Sequence, residues 1–135
     1  MERVNALDQY GFALHNRSKF RQALAAWTRA LTIGKPFLAA YSFELGHAYH
    51  NLGRGNQGVA SIDGTYLAAA EKNYDLAEKI FRSGLASATT DAMKMKFKLY
   101  LRGTLLLQKY IAEQRGDSAK AAAVTNKIDE LGKIP

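Results

Sequence analysis

Three groups of residues in this 135-residue chain have types and spacings that could do chemistry. The first is Glu44-x-x-His47, with His50 one turn further on. A glutamate and a histidine three apart on a helix can share a metal ion, as in carboxylate-bridged di-iron bundles. Such centres need a second copy of the motif and further carboxylates, and no second copy of the motif exists here. The expectation is therefore no metal, with these side chains serving as polar lining or lying partly buried. The second group is Gly53-Arg54-Gly55-Asn56-Gln57-Gly58, which spells G-x-G-x-x-G. A dinucleotide site needs a strand before that motif, so that a phosphate can sit between strand end and helix start. Residues 48–52 read as helix, and no βαβ unit occurs, so no cofactor is expected. Each glycine lowers helix stability by about 1 kcal/mol relative to alanine. Residues 53–64, which also contain Gly64, are accordingly predicted to form a loop or a weak, short helix.

The third group is cationic. Residues 92–115 hold six basic residues and one acidic residue. On a helix, Lys94, Lys98, Arg102 and Lys109 fall within about 80° of one another. The other positions are nearly all apolar, from Met93 to Ile111, and a helix apolar almost all round is buried between neighbours. The basic stripe is then the part expected to face water. It reads either as a plain solvated face or as a wall that attracts an acidic peptide or another polyanion.

No nucleophile stands out. There is no cysteine, no G-x-S-x-G, no H-E-x-x-H and no P-loop. The acids are scattered, which makes a paired-carboxylate site hard to build. An enzyme is not expected. The lack of cysteine also excludes a disulfide scaffold and a zinc ribbon. The formal charge of +7 raises the question of nucleic acid, but such a surface would want cations on several helices beside exposed aromatics. Nucleic acid is the disfavoured partner. No run of about 18 apolar residues suggests a membrane span, and no apolar signal core opens the chain, so a cytoplasmic protein without a membrane partner is expected.

The elements that must position these residues read as helices throughout. Hydrophobic residues make up 47%, enough for a core, and no run alternates apolar and polar residues as a half-buried strand does. Residues 3–16 place Leu7, Tyr10 and Leu14 at helical spacing. Residues 19–33 do so with Phe20, Ala23, Leu24, Trp27, Ala30 and Leu31. Gly34 with Pro36 ends that helix and starts the next, which carries Phe37, Tyr41, Leu45, Ala48, Tyr49 and Leu52. A helix from about Thr65 to Ala88, with a possible bend at Asn73, precedes an N-cap at Thr89-Thr90-Asp91. A long helix runs to Arg115, and Gly116-Asp117 turns the chain into a last helix ending near Leu131.

Two of these helices match one another. Phe20, Ala23, Trp27 and Ala30 have the same 3-4-3 spacing as Tyr74, Ala77, Phe81 and Gly84. Tyr10-Gly11-x-x-Leu14 precedes the first set, and Leu45-Gly46-x-x-Tyr49 precedes the second. This order, with a proline nearby and a period near 34, resembles the tetratricopeptide repeat (TPR). The resemblance covers residues 4–37 well. It covers residues 39–91 with an insertion at 54–72, and a degenerate third copy spans 92–131 with Leu101, Gly103, Ala121 and Val124. It implies an all-α fold: an α-solenoid of antiparallel helix pairs, about three repeats in a single domain over residues 1–135. It further implies a concave groove, made by the first helices, that holds a peptide or helix of another protein.

On that layout the floor would be a mixed aromatic-polar surface of Phe12, His15, Asn16, Phe43, Glu44, His47 and His50. Lys94, Lys98, Arg102 and Lys109 would form its basic wall. Family members that clamp a chaperone tail use a lysine and an asparagine on the first helix. The matching positions here are Asp8 and Phe12, with Glu44 in the second copy, so that specificity is not expected. The expected function is a noncatalytic adaptor, scaffold or chaperone-like module. The alternatives are a basic helical nucleic-acid binder or a self-assembling structural protein, since Val124, Ile128 and Ile134 leave an apolar end where a homo-oligomer could form.

Overall fold

A computed structural model describes residues 2–40 and 42–134. Among the described residues there is no strand. The chain forms six α-helices: α1 (Glu2–Asn16), α2 (Phe20–Gly34), α3 (Phe43–Ala60), α4 (Leu67–Ser87), α5 (Asp91–Gln114) and α6 (Ser118–Gly132). Each helix packs on the next in sequence, and α3 also meets α5. No helix among the described residues is long and apolar enough to cross a membrane.

Helix ends follow local chemistry. The Ser42, Thr90 and Asp117 side chains accept the Leu45, Met93 and Lys120 backbone N–H groups, relieving first-turn donors that have no partner inside the helix. Gly116 takes a φ of +71°, the left-handed conformation that lets the chain turn sharply into α6. The segment after α2 departs from expectation. Pro36 sits in a short 3-10 turn, Lys35–Phe37, rather than opening a helix, and Phe37 is 79% exposed. The helix starts at Phe43 instead, where Ser42 can cap it and proline cannot. Tyr41, assigned above to the helical row, lies outside the described residues.

The larger correction concerns residues 53–64. Gly53, Gly55 and Gly58 lie inside α3, which runs unbroken to Ala60. Only residues 61–63 and a 3-10 turn at Gly64–Tyr66 separate it from α4. The residues read as an insertion are thus spread over the end of α3, a short link and the start of α4. α4 is itself unbroken through Asn73. The physical reason is packing. A Cβ at Gly53 would lie 2.5 Å from Tyr74 Cδ1, one at Gly46 2.6 Å from Phe81 Cε1, and one at Gly58 2.7 Å from Phe20 Cγ. These glycines are notches that receive rings, so their low helix propensity is outweighed by close packing across the interface.

Trp27 and Phe81 occupy matching places. Trp27 is 1% exposed with its ring on Gly11, and Phe81 is fully buried with its ring on Gly46. Trp27 also donates its indole N–H to the Asp8 carbonyl at 3.2 Å. The third pair is built differently. Gly103 has no atom near its would-be Cβ, and α6 carries no aromatic residue. Val124 and Leu131 bury there instead, beside Leu101 and Leu105.

The notches make a paired prediction. Gly53→Ala should destabilise the fold by roughly 1–3 kcal/mol, since the Tyr74 ring is wholly buried and cannot swing aside. Gly103→Ala, with open space around it, should stabilise by about 0.5–1 kcal/mol through helix propensity. Urea unfolding of the two variants checks this. A stabilising Gly53→Ala would remove the ring-on-glycine account.

Candidate functional site

Two clefts lie along α1, α3 and α5. The larger, about 570 Å³, is lined by His15, Phe20, Arg54, Gln57, Leu107 and Tyr110, among others. The smaller, about 250 Å³, has Asp8 and Phe12 of α1, Phe43, Glu44 and His47 of α3, and Lys96 of α5 in its wall. Arg54 lines one and Phe12 the other, and the guanidinium carbon sits 5.4 Å from the Phe12 ring centre. The two clefts therefore adjoin at this pair.

Helical spacing aims these side chains together. Asp8, Phe12 and His15 are four and three residues apart on α1, and His47, His50 and Arg54 are three and four apart on α3. Such spacing makes a single row on one helix face. Lys96 and Tyr100 add an i, i+4 pair from α5. The rings form one connected surface. Phe12 meets Trp27 edge-on at 5.3 Å, His47 lies at 6.1 Å from Phe12 and stacks on Phe43 at 5.8 Å, and Tyr100 stands edge-on to Phe43 at 4.7 Å. His15 closes the other end between Phe20 and Trp27. Aromatic pairs of this kind contribute about 0.5–1.5 kcal/mol beyond their buried area, so the surface is rigid as well as apolar.

Two cations sit on that surface by cation–π contact. Arg54 lies over Phe12 and Trp27, and the Lys96 ammonium is 4.0 Å from the Phe43 ring centre. Burial and the Arg54 charge push all three imidazoles down from their ordinary value. Burial is the main cause at His15, where a backbone contact with Arg54 works the other way. At His47, burial is joined by Arg54 and Lys96 and opposed by Glu44. His50 is the most affected: burial, then His47, then Arg54 take it from 6.5 to about 3. It is therefore neutral at pH 7. Its Nδ1 is 2.9 Å from the Thr104 hydroxyl, which itself donates to the Tyr100 carbonyl at 3.0 Å. Thr104 has only one proton to give, so His50 Nδ1–H is the donor of that pair. Asp8 is pushed up by burial.

The structure thus brings together Phe12, His15, Phe43, Glu44, His47 and His50. His50 is a core residue joining α3 to α5 rather than an open lining group. Asn16 is exposed at the end of α1 and lines neither cleft. The proposed basic wall stands elsewhere. Lys98 donates to the Ile134 carbonyl, and with Arg102 it flanks a small apolar hollow against Ile128 and Leu131 of α6. Lys94 lies beside Arg82 and Ile134. Lys109 is half-buried and lines neither cleft.

The apolar remainder of α5 is not all covered either: Met95 is 67% and Leu99 64% exposed, in a row with Leu106 and Tyr110. The reason is that α5 has only α4, α6 and a glancing contact with α3 to cover it. The cations on the cleft rings are Arg54 and Lys96. Arg54 was hidden by reading its segment as loop. Lys96 stands apart from the other lysines on the helical wheel, so clustering by charge does not select it. No group of three or more metal-ligating side chains occurs among the described residues, so Glu44, His47 and His50 do not assemble a centre.

The buried histidine gives a pH prediction. Its folded pKa lies below its unfolded one, so the stability it contributes is complete above pH 6.5 and is lost as pH falls toward about 3. From pH 6.5 to about 5 the loss from His50 should be about 2 kcal/mol, with His15 and His47 adding in the same direction. Urea unfolding across that range measures it, and His50→Gln should flatten the slope. Equal wild-type stability at both ends would contradict a neutral, buried His50. No protein-family model matches the chain, and no curated protein matches it, so the reading of its function rests on this geometry.

Proposed function

We propose that the chain is a noncatalytic interaction module that holds a peptide or helix of another protein along the α1–α3–α5 face. In this reading the six helices are three antiparallel pairs of a short TPR-like solenoid, and the first helix of each pair lines a groove. The observation that carries it is the continuous aromatic and imidazole surface spanning three helices and opening into two adjoining clefts. Phe12, His47 and Tyr100 would supply apolar anchors, and Arg54 and Lys96 charge. Binding energy concentrates on a few such aromatic and arginine positions, while surrounding contacts mainly exclude water. Matching ring-on-glycine contacts at Trp27 and Phe81 support a repeated helix-pair unit.

A second reading is favoured by one observation. The exposed row of Met95, Leu99, Leu106 and Tyr110 on α5 is apolar enough to be covered by another molecule, including a second copy of the chain. Molar mass measured over a range of concentrations separates it. A dimer lost on Leu99→Glu would favour self-assembly through α5.

Selection of peptides from a randomised display library on the full chain tests the main reading. Selected peptides should shift resonances of Phe12, His47 and Tyr100, and Tyr100→Ala should weaken them by about tenfold or more. Lys79→Ala, on the exposed side of α4, should leave affinity unchanged. Peptides that perturb α4 and α6 instead, or that ignore Tyr100→Ala in a variant of native helicity, would overturn the groove.

A further inference from the structure

Five cations form ion pairs among the described residues, and Arg54 is not one of them. Arg82 and Lys127 pair with Glu78, Arg115 and Lys120 pair with Glu71, and Lys133 pairs with Glu130. None of the ion pairs among the described residues includes Arg54. Its neighbours are rings: Phe12 and Trp27 beneath the guanidinium, with imidazoles nearby that burial and its own charge keep neutral. The larger cleft beside it contains no carboxylate in its wall, only groups such as Gln57, Tyr110 and Gln114 that can donate hydrogen bonds. A guanidinium carries a planar fork of N–H donors that can match a carboxylate with two parallel bonds. Packing beside the Phe12 and Trp27 rings already restricts the Arg54 side chain, so less rotamer freedom is lost when an anion arrives.

We propose that Arg54 is the point at which this groove recognises an internal acidic side chain of the bound segment. The inference rests on the groove reading above. The anion is a side chain rather than a chain terminus because Arg54 stands where the two clefts adjoin, so a bound strand or helix passes over it in both directions. Polarity follows from the walls. An apolar side chain fits the larger cleft, between Phe20, Leu67, Leu107 and Tyr110. The smaller cleft presents Asp8 and Glu44 beside Lys96, and it disfavours a second acid at that end. The partner is therefore a protein segment with one central acidic residue and an apolar residue to one side of it.

Blocked synthetic peptide libraries, randomised everywhere except a fixed central Glu, Gln or Lys, test this by retention on the immobilised full chain. The Glu library should be retained about tenfold or more above the Gln and Lys libraries. Arg54→Gln should reduce Glu retention to the Gln level and leave the Gln library unchanged, and Arg54→Lys should recover part of the preference. The wild-type comparison needs no variant, so instability of Arg54→Gln cannot mask the result. Equal retention of the Glu and Gln libraries sinks the acid-recognition inference while leaving the groove in place. So does a Glu preference that survives Arg54→Gln. A central-Gln library with a free C-terminal carboxylate, if retained like the Glu library, overturns the internal side chain in favour of a terminus. Retention of no library removes the groove and this inference together.

Discussion

The contact on which the rest of the structure depends is an aromatic ring laid against a glycine on the facing helix. It recurs as Trp27 on Gly11, Phe81 on Gly46, Tyr74 on Gly53, Phe20 on Gly58 and Phe97 on Gly84. A side chain at Gly11, Gly46, Gly53 or Gly84 would meet a buried ring with little room to move in a close-packed interior. The contact therefore fixes how near neighbouring axes come, and in what register. It also builds the ring surface beside the two clefts. Trp27 and Phe20 reach His15, Trp27 reaches Phe12, and Phe81 reaches Phe43 and Tyr100, so the rings that close the helix pairs continue into the surface that faces out. Core and candidate site are one array of rings, and a change to either propagates to the other.

Where the rings run out, charge takes over. α6 has no aromatic residue to offer, and its apolar contribution is Val124, Leu131 and the partly buried Ile128. Its attachment is reinforced by Glu71 to Lys120 and by Glu78 to Lys127. Gln108 of α5 donates to both Asp75 and Glu78. Burial alone would raise the Glu78 pKa, but hydrogen bonds from Arg82 and Gln108, with Lys127 nearby, hold it below its ordinary value. The charge surplus noted along the chain is thereby divided. Several acids are committed to this end of the molecule, and the cations left without a carboxylate include the two on the groove rings.

Much of this was legible from residues alone, and the misses share one cause. The helices, the caps at Thr90 and Asp117 and the matched settings of Trp27 and Phe81 follow from spacing, because periodicity reports which positions face inward. Phe12, His15 and His47 are named through the resemblance to the tetratricopeptide repeat, and they line the two clefts. The glycines of α3 did not follow from spacing, because propensity describes a helix alone, whereas these glycines are explained by what lies opposite them. Reading 53–64 as loop then removed Arg54 from the groove, although His47, His50 and Arg54 keep a helical i, i+3, i+7 spacing. On α5, clustering by charge selected Lys94, Lys98, Arg102 and Lys109. The choice of groove cation depended instead on the direction of Phe97 and Leu101, which are buried and set the inward side.

The neutral histidines complete the electrostatic logic. Three imidazoles stand around one arginine, and burial and that arginine's field both disfavour their charged form. Were they protonated, the face would carry several adjacent positive charges in a poorly solvated place. Held neutral, they act as flat, partly polar rings that stack as phenylalanine does while keeping a nitrogen for hydrogen bonding. His50 uses one nitrogen to bind Thr104 and so ties α3 to α5, alongside the ring contacts of Phe43 and His47 with Tyr100. The same residue type thus packs in the core at His50 and stays partly exposed, in a cleft wall, at His47.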